Sequence, residues 1–308
     1  MRVALLAGGT GGTKLAHGFG MLGDDVALTV IANVGDDAEM HGLLVCPDID
    51  ALLYTLSGLI DAERGWGVRG DTHTAHAMFE RYGEETWFTV GDADLATHAH
   101  RTQRMRDGAS LTDAIAAMAN ALGITARILP ATDDRWRTMI ETDGGELAFQ
   151  EYFVRLRQEP DVRGVRFDAD GGASPTDAVL GAIGGADLVV VGPSNPIVSI
   201  GPILALPGVR EVIEATSATR LAVSPIIAGR ALKGPADRML TSLGHESSAL
   251  GVARLYRGLV DRFVLDEADV DLAPSIAELG MTPVVLPTVM RTDEDRANLA
   301  RAILAEVG

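Results

Sequence analysis

The chain of 308 residues holds a single cysteine, Cys46, and only 5% of it is aromatic. One cysteine excludes an internal disulfide framework and any zinc site built on several thiolates, and it fits a reducing compartment. Positive charge is scarce too: 26 Lys and Arg stand against 43 Asp and Glu, a formal net charge of −17 at pH 7. Nucleic-acid surfaces carry a basic stripe, so a general nucleic-acid partner is excluded. No run approaches the roughly 18 uncharged apolar residues of a membrane span, and the first apolar run is too short for a signal peptide. The expectation is a cytoplasmic protein without a membrane or nucleic-acid partner.

What the chain does have is apolar content, 47% hydrophobic residues, enough for one large core. Short aliphatic runs recur at Val3–Ala7, Leu28–Ala32, Arg127–Leu129, Leu188–Val191, Leu221–Val223, Phe263–Leu265 and Val284–Leu286. Such runs suit parallel strands buried on both faces. Helical patterns lie between them, among them Ser110–Leu122, Thr176–Ile183 and Asp293–Val307. Strands alternating with helices predict a Rossmann-like, doubly wound, mostly parallel α/β sheet whose ligands sit beyond the carboxyl ends of the strands. The stretch from about 51 to 121 breaks the rhythm and reads as a mainly helical insertion or cap within one α/β domain, 1–308. Residues Leu147–Val154 alternate as a strand would and are expected to pair with Val162–Phe167.

The first strand runs into Gly8-Gly9-Thr10-Gly11-Gly12-Thr13-Lys14. Glycines let the backbone turn sharply and aim its N–H groups inward, and a following helix adds the positive end of its dipole, a combination that holds phosphate. The spacing is neither a Walker A loop nor a clean dinucleotide fingerprint. After the strand ending at Ala32 come Asn33-Val34-Gly35-Asp36-Asp37 and then Pro47-Asp48-Ile49-Asp50. Carboxylates grouped this way suit Mg²⁺, which takes one or two of them and shares its other positions with substrate phosphates and water. A chain this acidic must neutralise any phosphate locally. The alternative is that Asp37 and Asp48 cap helices and solvate a loop.

Three further clusters follow strand ends or flank a helix. Trp87 and Phe88 offer a wall for a flat ring, with Thr89 beside them and His98, His100 and Arg101 shortly after. Ser194 and Asn195 stand between Pro193 and Pro196 behind the strongest strand. Ser224 opens Ser224-Pro225-Ile226, and Arg230 and Lys233 behind it supply local positive charge. No serine has the Gly-x-Ser-x-Gly surroundings of a hydrolase elbow.

Together, Gly8-Gly9-Thr10-Gly11 with Lys14, Asn33-x-Gly35-Asp36-Asp37, His41-Gly42, Pro47-Asp48-x-Asp50, Trp66-Gly67, Gly91-Asp92-x-Asp94-Leu95-Ala96-Thr97-His98, Phe149-Gln150-Glu151, Gly192-Pro193-Ser194-Asn195-Pro196 and Ser224-Pro225-Ile226 resemble the 2-phospho-L-lactate transferase family, in order and over nearly the whole chain. The resemblance implies an enzyme of coenzyme F420 biosynthesis. Such an enzyme joins a phosphorylated three-carbon acid, phospholactyl or phosphoenolpyruvyl, carried as a guanosine diphosphate ester, to the ribityl hydroxyl of the deazaflavin Fo. It releases GMP, requires Mg²⁺ and is usually a homodimer.

Carried onto this chain, the resemblance implies that Gly8, Gly9, Thr10, Gly11, Gly12, Lys14, Asn33, Ser194, Asn195, Ser224 and Lys233 hold the nucleotide. Asp36 and Asp50 would be catalytic, Asp36, Asp37, Asp48 and Asp50 would supply metal ligands, and Asp50, Trp87, Phe88, Thr89 and His98 would meet Fo. Thr89 departs from the basic residue of several relatives, which puts a charge contact there in doubt. Two other classes stay open: a related branch that binds a UDP-sugar and acts as a regulatory factor, and a nicotinamide oxidoreductase with Asp36 near the ribose-binding position. The Gly91–His98 stretch favours the transferase.

Overall fold

A computed structural model describes residues 1–169 and 171–307. Its centre is a seven-stranded sheet of β1 (Arg2–Ala7), β2 (Ala27–Ala32), β3 (Arg127–Pro130), β4 (Leu188–Val191), β5 (Thr219–Val223), β6 (Arg262–Asp266) and β7 (Thr282–Leu286). The strands lie in the order β7-β6-β5-β4-β1-β2-β3, and every neighbouring pair is parallel. Leu188, Val189, Val190 and Val191 are all buried, as a parallel strand covered by helices on both faces requires. The chain builds outward from β1 to β2 and β3, then returns to start β4 on the other side of β1. That reversal opens a crevice between the carboxyl ends of β1 and β4, the position where doubly wound folds bind ligands.

The crevice is tight on one side. Gly8 precedes helix α1 (Gly9–Gly20), so the glycine run forms the first turn of the helix rather than a free loop. A methyl group on Gly11 would run into the carbonyl oxygen of Pro193, and one on Gly12 into the Ser194 hydroxyl and Ala7. The glycines therefore let α1 lie against the turn after β4.

Between β2 and β3 the chain leaves the sheet. It forms an antiparallel ribbon, Ala38–Met40 with Leu43–Val45, and four helices: α2 (Pro47–Leu56), α3 (Thr74–Arg81), α4 (Asp92–Arg106) and α5 (Leu111–Ala121). The ribbon turns at His41-Gly42 with φ of 51° and 72°, as a two-residue hairpin turn demands. α2 is not peripheral, since Ile49, Leu52 and Leu53 are fully buried and the helix packs against α1. Ser110 caps α5 by accepting from the Asp113 amide, and Thr176 caps the next helix in the same way from Val179.

The expected pairing of Leu147–Val154 with Val162–Phe167 does not occur. The middle strand of a second, three-stranded antiparallel sheet is Arg137–Thr142, flanked by Gly145–Ala148 and Val162–Asp168. After Ala148 the chain turns helical. Phe149 stacks on Phe153 with ring centroids 5.3 Å apart, a four-residue spacing that a helical turn satisfies and a strand does not. The Gln150 amide also donates to the Asp36 carbonyl at 2.9 Å, tying this turn to the end of β2. Among the described residues, no helix is long and apolar enough to cross a membrane.

The glycine contacts yield a paired test of stability. Gly11→Ala meets backbone that cannot move aside and should cost about 1–3 kcal/mol, the scale of overpacking. Gly181, inside the helix Asp177–Gly184, faces open space, so Gly181→Ala should stabilise by about 0.5–1 kcal/mol. Urea unfolding of both variants checks the opposite signs.

Candidate active site

Two carboxylate groups lie near the carboxyl end of β2, and they differ in what surrounds them. Asp50, on α2, is fully engaged. Arg101 of α4 donates to both its oxygens, Nη1 to Oδ1 at 2.5 Å and Nη2 to Oδ2 at 3.0 Å. His98 Nε2 lies 3.1 Å from Oδ2, and the Cys46 amide donates to the same oxygen at 3.3 Å. His98 also faces Asp94 Oδ1 at 3.3 Å, to which Tyr54 donates its hydroxyl at 2.6 Å. Asp94, His98 and Arg101 recur at the spacing of one helix face, so α4 delivers all three to the same spot.

Electrostatics follow this geometry. Burial would raise Asp50, but Arg101 and His98 outweigh it and hold the carboxyl at about 2. Burial would lower His98, yet Asp50 and Asp94 lift it to about 9, so the ring is an imidazolium at neutral pH. Asp50, Asp94 and His98 lie close enough together to hold a cation, with ligand atoms within 4.8 Å of one another. The guanidinium and the imidazolium already supply the positive charge there.

Asp36, Asp37 and Asp48 form the other group. Asp48 accepts from the Gly9 amide at 2.6 Å and from the Asn33 side chain at 2.9 Å, and Asn33 accepts from the Gly35 amide at 2.8 Å. One lone pair on each Asp48 oxygen is left over. Asp36 is raised well above the usual carboxylate range, by burial first and then by the charge of Asp48, with the Asn33 side chain acting the other way. Asp48 is raised by burial, against the bonds from Asn33 and Gly9. Asp37 is pushed up to about 7 by burial, which Arg137, Cys46 and Arg101 only partly offset. Asp36 Oδ1, Asp37 Oδ1 and the hydroxyl of Thr138 are buried and make no hydrogen bond among the described residues.

Asp36, Asp37 and Thr138 line a cavity of about 510 Å³. Trp87, Phe88 and Phe149 form aromatic wall, Trp87 and Phe88 meeting edge to face, and His41 at the ribbon's turn lines it while stacked on Phe79 of α3. The structure thus brings Asp36, Asp37, Trp87 and Phe88 together. It leaves Thr89 exposed and outside the cavity lining, and it buries His98 in the Asp50 cluster rather than at an aromatic wall.

Of the residues expected at a nucleotide, the glycine turn and Ser194 meet at the crevice, whereas Ser224 follows β5 and Lys233 lies beyond it. The Ser194 hydroxyl accepts from the Gly8 amide at 3.2 Å. Asn195 Oδ1 accepts from the Ile197 amide at 2.9 Å, and its amide group meets Met239 sulfur at 3.5 Å, so its polar atoms are partly committed to the turn. Ser224 closes a local turn, donating to and accepting from Ile226. Lys14 donates to the Met290 carbonyl at 2.9 Å and is lowered by burial, then by Arg296 and Lys233. Lys233 reaches across to Gly65 in the segment between α2 and α3. Thr10, Gly11 and Gly12 form the opening turn of α1.

The sequence model of the 2-phospho-L-lactate transferase CofD family matches residues 3–294. The chain belongs to that family. It is 39% identical over 310 residues to the phosphoenolpyruvate transferase of Streptomyces griseus, covering 99% of this chain and 98% of the relative. It is also 39% identical over 300 residues to the 2-phospho-L-lactate transferase of Methanosarcina mazei, covering 97% and 98%. In structure it resembles a UPF0052 family protein of Bacillus halodurans, with a TM-score of 0.68, 17% identity and 98% of each chain covered. At that identity the likeness speaks to the α/β fold alone.

This CofD-family transferase therefore carries a cluster whose removal is a matter of folding. Asp50→Asn leaves Arg101 buried without its partner and should cost about 3–5 kcal/mol in denaturant unfolding. The His98 contribution has a defined pH window. Its folded value lies above that of an unfolded histidine, so its stabilisation is complete below about pH 6.5 and is lost as pH rises through about 9. Unfolding free energies across that range, with the imidazole followed by NMR, check both the sign and the window.

Proposed function

We propose that this site moves a phosphorylated three-carbon acid from its guanosine diphosphate ester to the ribityl hydroxyl of Fo, releasing GMP, in coenzyme F420 biosynthesis. The observation that carries the reading is the pairing of Asp36 with Asp48. Both carboxylates are buried and the charge of Asp48 raises Asp36, Asp48 accepts from the Gly9 amide of the glycine turn, and Asp36 opens on a cavity with aromatic walls. A diphosphate at the crevice and a flat acceptor against Trp87 and Phe88 would then meet at Asp36. The relatives named for phosphoenolpyruvate and for 2-phospho-L-lactate are equally similar, so either acid fits the proposal.

Mg²⁺ suits the donor set. Asp36, Asp37 and the remaining lone pairs of Asp48 are hard oxygen ligands, and no cation within the cluster balances Asp36 against Asp48. When bound, the ion neutralises charge on the phosphate oxygens. The chain's own groups do the rest. The glycine turn, Ser194 and Lys14 with Lys233 hold the nucleotide end, and the aromatic wall fixes the acceptor ring. The ribityl oxygen forms a bond to the phosphorus that bears the acid while the bond to the bridging oxygen of GMP breaks, and the hydroxyl proton passes to the Asp36 and Asp37 pair. Asp50 acts at one remove, by keeping α4 and the ribbon in place. We further propose a cytoplasmic homodimer as the working form.

A nicotinamide cofactor fits less well. The side chain at the end of β2 is Asn33, whose amide is spent on Asp48 and Gly35, and Asp36 faces the cavity instead of a ribose.

Incubating the protein with Fo, the donor ester and Mg²⁺ should yield a more acidic deazaflavin and GMP by chromatography. EDTA should abolish turnover, and undiminished activity in chelated protein would remove the metal from the proposal. Asp36→Asn should lower turnover by about 10² or more. Its unfolding midpoint should change little, because Asp36, raised by burial and by Asp48, has no cation partner to lose, the opposite of the Asp50 variant.

A further inference from the structure

The cavity carries charge of both signs besides the Asp36 and Asp48 cluster. Its wall carries six carboxylates, Asp36, Asp37, Glu39, Glu84, Glu85 and Glu151, and two cations, Arg135 and Arg137. Arg135 pairs with Asp168 at 3.2 Å. Arg137 donates at 3.0 Å to the carbonyl of Trp136, its own neighbour, and among the described residues no carboxylate lies within ion-pair distance of it. It is half-buried, and its charge is the first influence that opposes burial at Asp37.

The position of Arg137 is rigid. It opens the middle strand of the three-stranded sheet, opposite Asp168 in register, and the Thr138 amide that follows is bonded to the Gly35 carbonyl at 2.8 Å. The backbone at Arg137 is therefore anchored to the segment that carries Asp36 and Asp37. A second cavity, of about 490 Å³ and lined also by Arg106 and Thr102, lies on its other side. A half-buried guanidinium with no carboxylate in ion-pair contact among the described residues, on a strand anchored this way, is a recognition group for a planar anion.

We propose that Arg137 binds the carboxylate of the transferred three-carbon acid and sets the preference of the site for an acid over an uncharged analogue. The proposal rests on the reading of the site as a transferase of such an acid. The transferred group carries two anionic parts. Its phosphate lies at the Asp36 and Asp48 cluster, where a divalent ion balances it, whereas the carboxylate takes no part in the reaction and needs its own counter-charge. Arg137 supplies that charge in a bidentate geometry next to Asp37. Arg137 is a specificity residue: it contacts the substrate away from the bonds that change.

The test compares wild type with Arg137→Gln and Arg137→Lys in the full chain. Binding with Mg²⁺ present is measured for 2-phospholactate and for isopropyl phosphate, the same skeleton without the carboxylate. Wild type should prefer 2-phospholactate, Arg137→Gln should reduce that preference by about 10- to 100-fold, and Arg137→Lys should restore part of it. In turnover, Arg137→Gln should lower kcat/KM for the donor by a similar factor while the KM for Fo stays within about twofold. A preference absent from wild type, equal losses on both phosphates, or an effect confined to the KM for Fo would overturn the assignment. Unfolding midpoints of the variants should match wild type, and a drop that accompanies equal losses marks a structural role for Arg137 and overturns the assignment as well. An Arg137-dependent preference in binding without any turnover of Fo would instead overturn the acceptor reading and leave Arg137 as the carboxylate site.

Discussion

Compensation of buried charge divides this site in two. Asp50 receives a guanidinium, an imidazolium and a backbone amide, and its carboxyl sits at about 2 as a result. Asp36, fourteen residues earlier, shares its burial but is set against Asp48 instead of a cation. Desolvation of an ion costs several kcal/mol even after relaxation, so a pair left in that state is a standing demand for positive charge. The first cluster locks α2, α4 and the ribbon together. That lock in turn keeps the second cluster facing the cavity.

The glycine turn gives the arrangement its other fixed edge. Because α1 begins at Gly9 and lies against Pro193 and Ser194, the carboxyl ends of β1 and β4 are held at close range at the reversal of strand order. The Gly9 amide then fixes Asp48, and Asn33 couples Asp48 to the end of β2. One chain of bonds thus runs from the proposed nucleotide crevice to the carboxylates facing the aromatic wall. A group transferred between two substrates has to cross that junction.

Much of the fold was legible from periodicity. Buried parallel strands read as aliphatic runs, so β2, β4, β5, β6 and β7 were placed within two residues of their observed bounds, and the Ser110 and Thr176 caps marked helix starts. The second sheet was harder. Leu147–Val154 alternates, but the contact of Phe149 with Phe153 and the reach of Gln150 to Asp36 depend on tertiary partners that alternation does not register. Asp36 and Asp37 were legible as carboxylates at a strand end and Trp87 and Phe88 as an aromatic pair, but as separate clusters, and only the fold brings the two to one cavity. The role of Arg101 was not, although its spacing from Asp94 and His98 was the available signal, because an arginine on a helix is ordinarily solvated. Arg137 was invisible for a related reason: its meaning comes from a strand that the sequence pattern did not reveal.

Where a divalent ion binds decides between the two carboxylate clusters. Crystals of the protein grown with Mn²⁺ and GDP, measured at the manganese edge, locate it by anomalous scattering. The expected peak lies on the oxygens of Asp36 and Asp48, with Asp50 still on Arg101. A peak between Asp50, Asp94 and His98 with Arg101 displaced, or no peak at saturating Mn²⁺, would contradict it.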